Sequence, residues 1–322
     1  MTTTLSTGPA PADMTAMREA MASGRVTASA LVDQAIERAE AVNPQLNFIA
    51  WPTFERARGQ AEEPRSGPLA GVPTLIKDML PEKGIPASFG SAALRDFIPP
   101  DDAPYARAIT NSGLISIARS AMPELGLNAV TESPLLGPTR NPWNLDHTPG
   151  GSSGGGAAAV AAGVVPVAHA SDGLGSIRHG AAPCGLVGLK PTRGRLAQDR
   201  MMREMPVRIV SDGVLTRSVR DTAAFYREAE KVWRNPLLAP VGGVTRPGRA
   251  RLRIAVVTDG IGRACSPEVR ELTLRTAALL ERLGHRVEEI DNPVPESFPE
   301  HFVRFWSMLA LVISRRASRA RG

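Results

Sequence analysis

Apolar and polar positions alternate along this chain at two periods, 3.6 and 2. Between Thr27 and Asn43, the residues Leu31, Ala35, Ile36, Ala39 and Val42 fall on one helical face. Thr27 is placed to cap that helix, and Asn43-Pro44 is expected to stop it. Asp13 can cap a shorter helix through Met21, and a polar helix is expected around Phe54 to Glu62. Val72 to Ile76 is a short apolar run that reads as a buried strand, and it ends at Lys77. A lysine in that place is delivered to the interior.

Further along, Ala103 to Asn111 reads as a helix and Gly113 to Ala118 as a buried strand. Met122 to Pro142 is loop-rich, with four prolines. Ala157 to Ala162 is an alanine-rich helix suited to close packing on a sheet. Val164 to Ala170 is a strand, Arg178 opens a helix, and Gly185 to Leu189 is another strand. Ser218 caps a helix through Val232, with Asp221 three residues on in a variant of the capping box. Arg253 to Val257, Pro267 to Leu283 and His285 to Ile290 form a β-α-β unit, its helix capped by Ser266 and ended by Gly284. Strands separated by helices imply an α/β fold with a central mixed, mainly parallel sheet covered on both faces.

Composition narrows the function classes. The 322 residues are 43% hydrophobic and 22% charged, enough for a well-buried core in one large domain or two ordinary ones. Aromatics make up only 4%, which argues against a base-stacking surface and a nucleic-acid partner. The formal charge of +6 is concentrated at the end of the chain. Without Arg315, Arg316, Arg319 and Arg321 it falls to +2. Residues 311–322 are therefore expected to be a solvated basic tail, and the Thr/Pro/Ala-rich residues 1–12 a disordered terminus. Two cysteines, Cys184 and Cys265, make no disulfide framework. With no secretory pattern and no run of about 20 apolar residues, the expected location is cytoplasmic, away from the membrane.

The candidate chemistry lies in two glycine-rich serine turns. The first is Gly150-Gly151-Ser152-Ser153-Gly154-Gly155-Gly156. The second is Asp172-Gly173-Leu174-Gly175-Ser176-Ile177-Arg178. Both have apolar flanks, so they read as tight turns inside a core and not as linkers. A serine nucleophile needs a base within hydrogen-bond reach and N–H donors where an oxyanion develops. Ser176 follows a stretch in which the N–H groups of Gly173, Leu174, Gly175 and Ser176 can converge. Two bases compete. His179 lies three residues past Ser176, although no GxSxG elbow is centred on Ser176. Lys77 would have to be neutral, which burial favours; taken by itself it reads first as a surface lysine paired to Asp78. The five histidines, His147, His169, His179, His285 and His301, read otherwise as satisfied or exposed side chains. No GxxxxGK[ST] or GxGxxG pattern supports a nucleotide fold.

The run from Arg140-Asn141-Pro142-Trp143-Asn144 through both serine turns to Cys184-Gly185-Leu186-Val187-Gly188-Leu189-Lys190-Pro191-Thr192-Arg193-Gly194-Arg195 resembles the amidase signature family. So do Gly71-Val72-Pro73-Thr74-Leu75-Ile76-Lys77-Asp78 and Met122-Pro123-Glu124-Leu125-Gly126. The resemblance covers about residues 15–310 and points toward amidases related to aminohexanoate cyclic dimer hydrolase. It implies an amidase signature domain over residues 13–310 that hydrolyses the C–N bond of a small-molecule amide. It assigns Lys77 as the base, Ser152 as a bridging serine held on a cis peptide, and Ser176 as the acylated nucleophile. Gly173, Leu174 and Gly175 are implied as the oxyanion hole, with Ser153, Asp172 and Arg178 in support. No metal or organic cofactor is implied.

Three departures stand out. Leu174 replaces a glycine usual in the family, so a positive φ there would be costly. His179-Gly180 stands where the family has an apolar residue and proline. Ala118-Arg119-Ser120 replaces Gly-Lys-Thr. Family members also continue further, with more strands and a wall of the substrate pocket. The sequence is therefore expected to be incomplete at its C-terminal end, leaving an open sheet edge and a weakened enzyme. The two other readings are a non-catalytic remnant and the amidase subunit of a tRNA-dependent amidotransferase.

Overall fold

A computed structural model describes residues 12–205 and 207–319, without the side chains of 200, 201 and 316–319. The expected disordered stretch therefore lies, except for Ala12, outside the described residues. Two compact units are present, residues up to 245 and residues 246–316.

The first unit begins with helices α1 (Met14–Ala22) and α2 (Ala28–Leu46), strand β1 (Ile49–Pro52) and helix α3 (Phe54–Glu62). Strand β2 (Pro73–Lys77), helix α4 (Pro104–Asn111) and strand β3 (Ile115–Ser120) follow, then the short strands β4 (Glu132–Ser133) and β5 (Gly137–Pro138). Helix α5 (Gly154–Ala161), strand β6 (Val167–Asp172), helix α6 (Arg178–Cys184), strand β7 (Val187–Gly188), helix α7 (Arg200–Arg203), strand β8 (Ser211–Thr216) and helix α8 (Val219–Val232) complete the unit.

Two three-stranded sheets carry the core. In the first, β3 lies between β1, antiparallel to it, and β2, parallel to it. In the second, β8 lies between β6 and β7, antiparallel to both. Side chains bridge β2 and β6: the Thr74 hydroxyl donates to the Val167 carbonyl at 2.9 Å, and the Lys77 N–H to His169 Nδ1 at 3.2 Å. All five residues of β2 are buried. Leu75 joins a cluster with Ile36 and Ala39 of α2, Ala158 and Ala159 of α5 and Ile117 of β3. Its neighbour Ile76 joins a second cluster with Tyr105 of α4 and Phe225 of α8. Alternate residues of one strand thus fill opposite clusters, which explains why the run is continuously apolar.

The helices follow their caps. Asp13, Thr27 and Ser218 accept N–H groups three residues on, from Ala16, Ala30 and Asp221. Two expectations need correction. Helix α2 does not stop at Asn43-Pro44 but runs through Pro44 to Leu46. The Asn43 side chain then closes the helix end, accepting the N–H groups of Phe48 and Ile49. Asp221 does not complete a capping box. Its carboxylate instead accepts the N–H groups of Met14 and Thr15 and the Thr15 hydroxyl, closing the start of α1 from α8.

The alanine helix starts three residues before the expected position, inside the glycine run. Its first donors are satisfied by the Thr131 hydroxyl and the Ala121 carbonyl. A Cβ on Gly155 would lie 2.5 Å from Ala121 N and O and 2.8 Å from the Phe48 carbonyl oxygen. Gly155→Ala is expected to destabilise the unit by about 3 kcal/mol and lower Tm by roughly 6–12 °C in a thermal melt. An unchanged melt would show that the Ala121 backbone can yield.

The second unit holds strand β9 (Arg253–Val256), helix α9 (Pro267–Arg282) and strand β10 (Arg286–Glu289), with β9 and β10 parallel in the expected β-α-β arrangement. Helix α10 (Phe298–Arg319) runs through most of the residues read from sequence as a basic tail, and 320–322 lie outside the described residues. Among the described residues, no helix is long and apolar enough to cross a membrane.

Candidate active site

Lys77 ends β2 with none of its surface exposed. Its Nζ donates to three hydroxyls: Ser152 Oγ at 2.7 Å, Ser153 Oγ at 3.0 Å and Ser171 Oγ at 3.1 Å. Asp78 turns away from it, bonding to the Ser88 hydroxyl at 2.5 Å and lying 3.8 Å from the Arg119 guanidinium. Burial pulls the Lys77 amine down from 10.5 to about 7, against the attraction of Asp212 and Asp172. Near neutral pH, about half of this amine is unprotonated and able to accept a proton.

Ser152 lies between Lys77 and Ser176. Its hydroxyl is 2.9 Å from Ser176 Oγ, and its peptide bond with Gly151 is cis. The turn comes against the next loop with no space to spare. Gly150 has φ +81°, and a Cβ there would lie 2.1 Å from the His179 carbonyl oxygen. Only glycine permits both that dihedral and that approach. The structure thus brings Lys77, Ser152, Ser153 and Ser176 together through a continuous hydrogen-bonded path.

Asp172 closes the second turn. Its carboxylate accepts the Gly175 N–H at 2.6 Å and two guanidinium bonds from Arg178, at 2.9 and 3.0 Å. Burial pushes this carboxyl up, but the Arg178 and Gly175 bonds outweigh it and hold Asp172 below its ordinary value. The bond from Gly175 corrects one expectation: an N–H given to Asp172 is not free to meet an oxyanion. The N–H groups of Gly173, Leu174 and Ser176 make no hydrogen bond to any described residue. Leu174 is not among the non-glycine residues of positive φ, which are Asn47, Phe89 and Leu125, so the expected strain is absent. Its side chain is 42% exposed beside Ser176.

The competing histidine does not engage Ser176. His179 is exposed, and its ring stacks over Gly175, where a Cβ would meet Nε2 at 2.9 Å. His169 is buried and bonded to the Lys77 N–H and to Asp212. Arg119 is fully buried, with its guanidinium on Glu82 at 2.7 Å and on the Leu80 carbonyl at 2.5 Å. Sequence reasoning missed Ser171, His169 and Asp212. The period-2 alternation of β6 was the available signal, since it places His169 and Ser171 on one face. A separate groove of about 500 Å³, lined by Arg107, Gln198 and Trp233 among others, shares no residue with this cluster.

A buried lysine bonded through one serine to a second, beside a glycine-rich turn with unpaired N–H groups, is the equipment of a serine acyl-transfer site. The comparisons agree with this class. The chain matches the amidase family over residues 30–319, and it belongs to that family. It is 52% identical over 313 residues to AmiC of Mycobacterium tuberculosis, an inferred amidase, covering 96% of this chain and 66% of that relative. It is 34% identical over 322 residues to the 6-aminohexanoate-cyclic-dimer hydrolase of Paenarthrobacter ureafaciens, covering 95% of this chain and 64% of the relative. The chain thus spans about two thirds of the length of the curated relatives it matches.

Among solved structures, a bacterial aryl acylamidase of the amidase signature family superposes with a TM-score of 0.87 at 28% identity. That match covers 97% of this chain and 68% of the other. A 6-aminohexanoate cyclic dimer hydrolase complexed with substrate gives 0.77 at 34% identity, covering 87% and 60%. The fold is the amidase signature fold.

Proposed function

We propose that this protein hydrolyses the C–N bond of a small-molecule carboxylic amide through an acyl-enzyme on Ser176. The observation that carries the reading is the unbroken path from the buried Lys77 amine through Ser152 Oγ to Ser176 Oγ, at 2.7 and 2.9 Å. Ser176 Oγ attacks the carbonyl carbon. Its proton passes to Ser152 Oγ, whose own proton passes to neutral Lys77 Nζ. The oxyanion is met by unpaired N–H groups of the Gly173–Ser176 turn. As the C–N bond breaks, the proton on Lys77 returns through Ser152 to the departing amine. Water then attacks the Ser176 ester by the same relay, releasing the acid and restoring the hydroxyl.

Ser153 and Ser171 hold the Lys77 amine in place, and the Asp172–Arg178 pair fixes the turn that presents Ser176. The relay as written uses no metal, organic cofactor, nucleic acid or membrane. A cytoplasmic setting fits the two free cysteines, of which Cys184 is buried with its thiol pushed up to about 12.

A fluorophosphonate probe followed by peptide mapping tests the assignment. The label is expected on Ser176. A label on Ser152 or Ser153 with Ser176 unmodified would overturn the proposed roles.

A further inference from the structure

Against the Lys77 main chain lies a second buried polar group that the relay does not use. His169 is 1% exposed and Asp212 6%. In the antiparallel β6/β8 ladder, Ser171 pairs with Asp212 and His169 with Val214, which sets Asp212 diagonally across from His169. His169 Nδ1 accepts the main-chain N–H of Lys77 at 3.2 Å, and Nε2 lies 3.1 Å from Asp212 Oδ1. A neutral imidazole has one donor and one acceptor. With Nδ1 accepting, Nε2 must carry the hydrogen and give it to Asp212.

Resting on the reading of Lys77 as the base, we infer that His169 and Asp212 are a positioning pair for that lysine. His169 fixes the Lys77 backbone at the end of β2. Asp212, oriented by His169, supplies negative charge next to Ser171, its partner in the ladder, whose hydroxyl lies 3.1 Å from the Lys77 amine.

Among the described residues, the neighbouring charged and titratable groups have contacts of their own. Just past β2, Asp78 is engaged by Ser88 and lies 3.8 Å from Arg119 of β3. On β6, Asp172 is occupied by Arg178 and the Gly175 N–H. Tyr105 of α4 lies with its ring 5.2 Å from that of His169, and Tyr226 of α8 donates its hydroxyl to the Leu189 carbonyl. Burial holds His169 below its ordinary value, hence neutral, despite Asp212. Among the described residues, the carboxylates whose charge opposes the burial of the Lys77 amine are Asp212 and, after it, Asp172. Removing the charge of Asp212 takes away the larger of the two attractions. The proton should then leave Lys77 at lower pH.

The chain has four lysines, Lys77, Lys83, Lys190 and Lys231, so lysine labelled with ¹³C at Cε gives a spectrum simple enough to follow Lys77 in the full chain. Lys77→Ala assigns the resonance by its loss. Asp212→Asn is expected to move the Lys77 titration midpoint down by about one pH unit, a tenfold change in its protonation ratio. Asp212→Glu, which keeps the charge, should move it back toward the wild-type value. The acid limb of the probe-labelling rate at Ser176 should shift by the same amount as the midpoint.

A Lys77 midpoint that is the same in wild type and Asp212→Asn overturns the inference. A second measurement needs no variant: long-range ¹H–¹⁵N correlation on the wild-type histidines should show His169 protonated on Nε2. Protonation on Nδ1 would also overturn it. The two readings fail separately. If the midpoint moves but Ser176 is never acylated, the positioning pair stands and the amidase relay falls. If Ser176 is acylated in a Lys77-dependent way and the midpoint stays, only the pair falls.

Discussion

Ser176→Ala is expected to abolish covalent labelling by a fluorophosphonate and to lower amide turnover by roughly 10⁴-fold or more. The size of the effect follows from what remains. Ser152 is near, but its hydroxyl lies between Lys77 and Ser176, 2.7 Å from one and 2.9 Å from the other, and is 2% exposed. It has proton-transfer geometry but no approach to a carbonyl. Ser153 and Ser171 are buried and bonded to the same amine. Residual turnover in the alanine variant should be confined to whatever the Gly173–Ser176 donors give a bound amide attacked by water. Turnover within tenfold of wild type would show that another residue carries the acyl group.

The second large effect is expected at Lys77, and it has two signs. Lys77→Met should reduce amide hydrolysis by about 10²–10⁴-fold at neutral pH, because Ser152 loses its proton acceptor. The same substitution should make the fold more stable. In the folded chain the amine titrates at about 7, against 10.5 ordinarily. Between those values the unfolded chain binds a proton that the folded chain does not, so wild-type stability rises with pH across that window. Below about pH 7 the charged amine is buried and the full penalty is present, on the order of 5 kcal/mol. Methionine fills a similar volume without an amine, so the Tm gain over wild type should be larger near pH 6 than near pH 9. Thermal melts at the two pH values check this, and an equal gain at both would mean that the lysine is not held neutral by the fold.

Much of this arrangement was legible because it is local. The caps at Asp13, Thr27, Ser218 and Ser266 are three-residue patterns, and each helix they announce is present. The apolar run ending at Lys77 marked a buried lysine because a strand covered on both faces leaves its last side chain inside. Strand β8 escaped detection for the opposite reason. Ser211-Asp212-Gly213-Val214-Leu215-Thr216 has neither an apolar run nor clean alternation, and it is buried only because β6 and β7 lie on either side of it.

The partners of His169 come from β2 and β8, 92 and 43 residues away, and no spacing rule reaches that far. The use of the Gly175 N–H was within reach. An aspartate accepting from the N–H three residues on is a recurrent turn, and Asp172 with Gly175 fits it. A positive φ at Leu174 was a reasonable concern for a residue in a glycine's place. The turn puts its left-handed residue at Gly175 instead, with φ +117°.

The clamp that Asp221 places on the first turn of α1 has a bearing on how the protein is made. Met14 and Thr15 leave the ribosome before the carboxylate that receives their N–H groups, which is 207 and 206 residues behind. At about 5–20 residues per second, the nascent chain carries that helix without its clamp for roughly 10–40 s. Throughout that interval the N–H groups of Met14 and Thr15 lack the acceptor they have in the finished fold. Arg220 and Ser218, which grip Asp13, arrive in the same moment. The start of α1 is therefore closed only when α8 arrives, and a stall anywhere before residue 218 leaves it without that clamp.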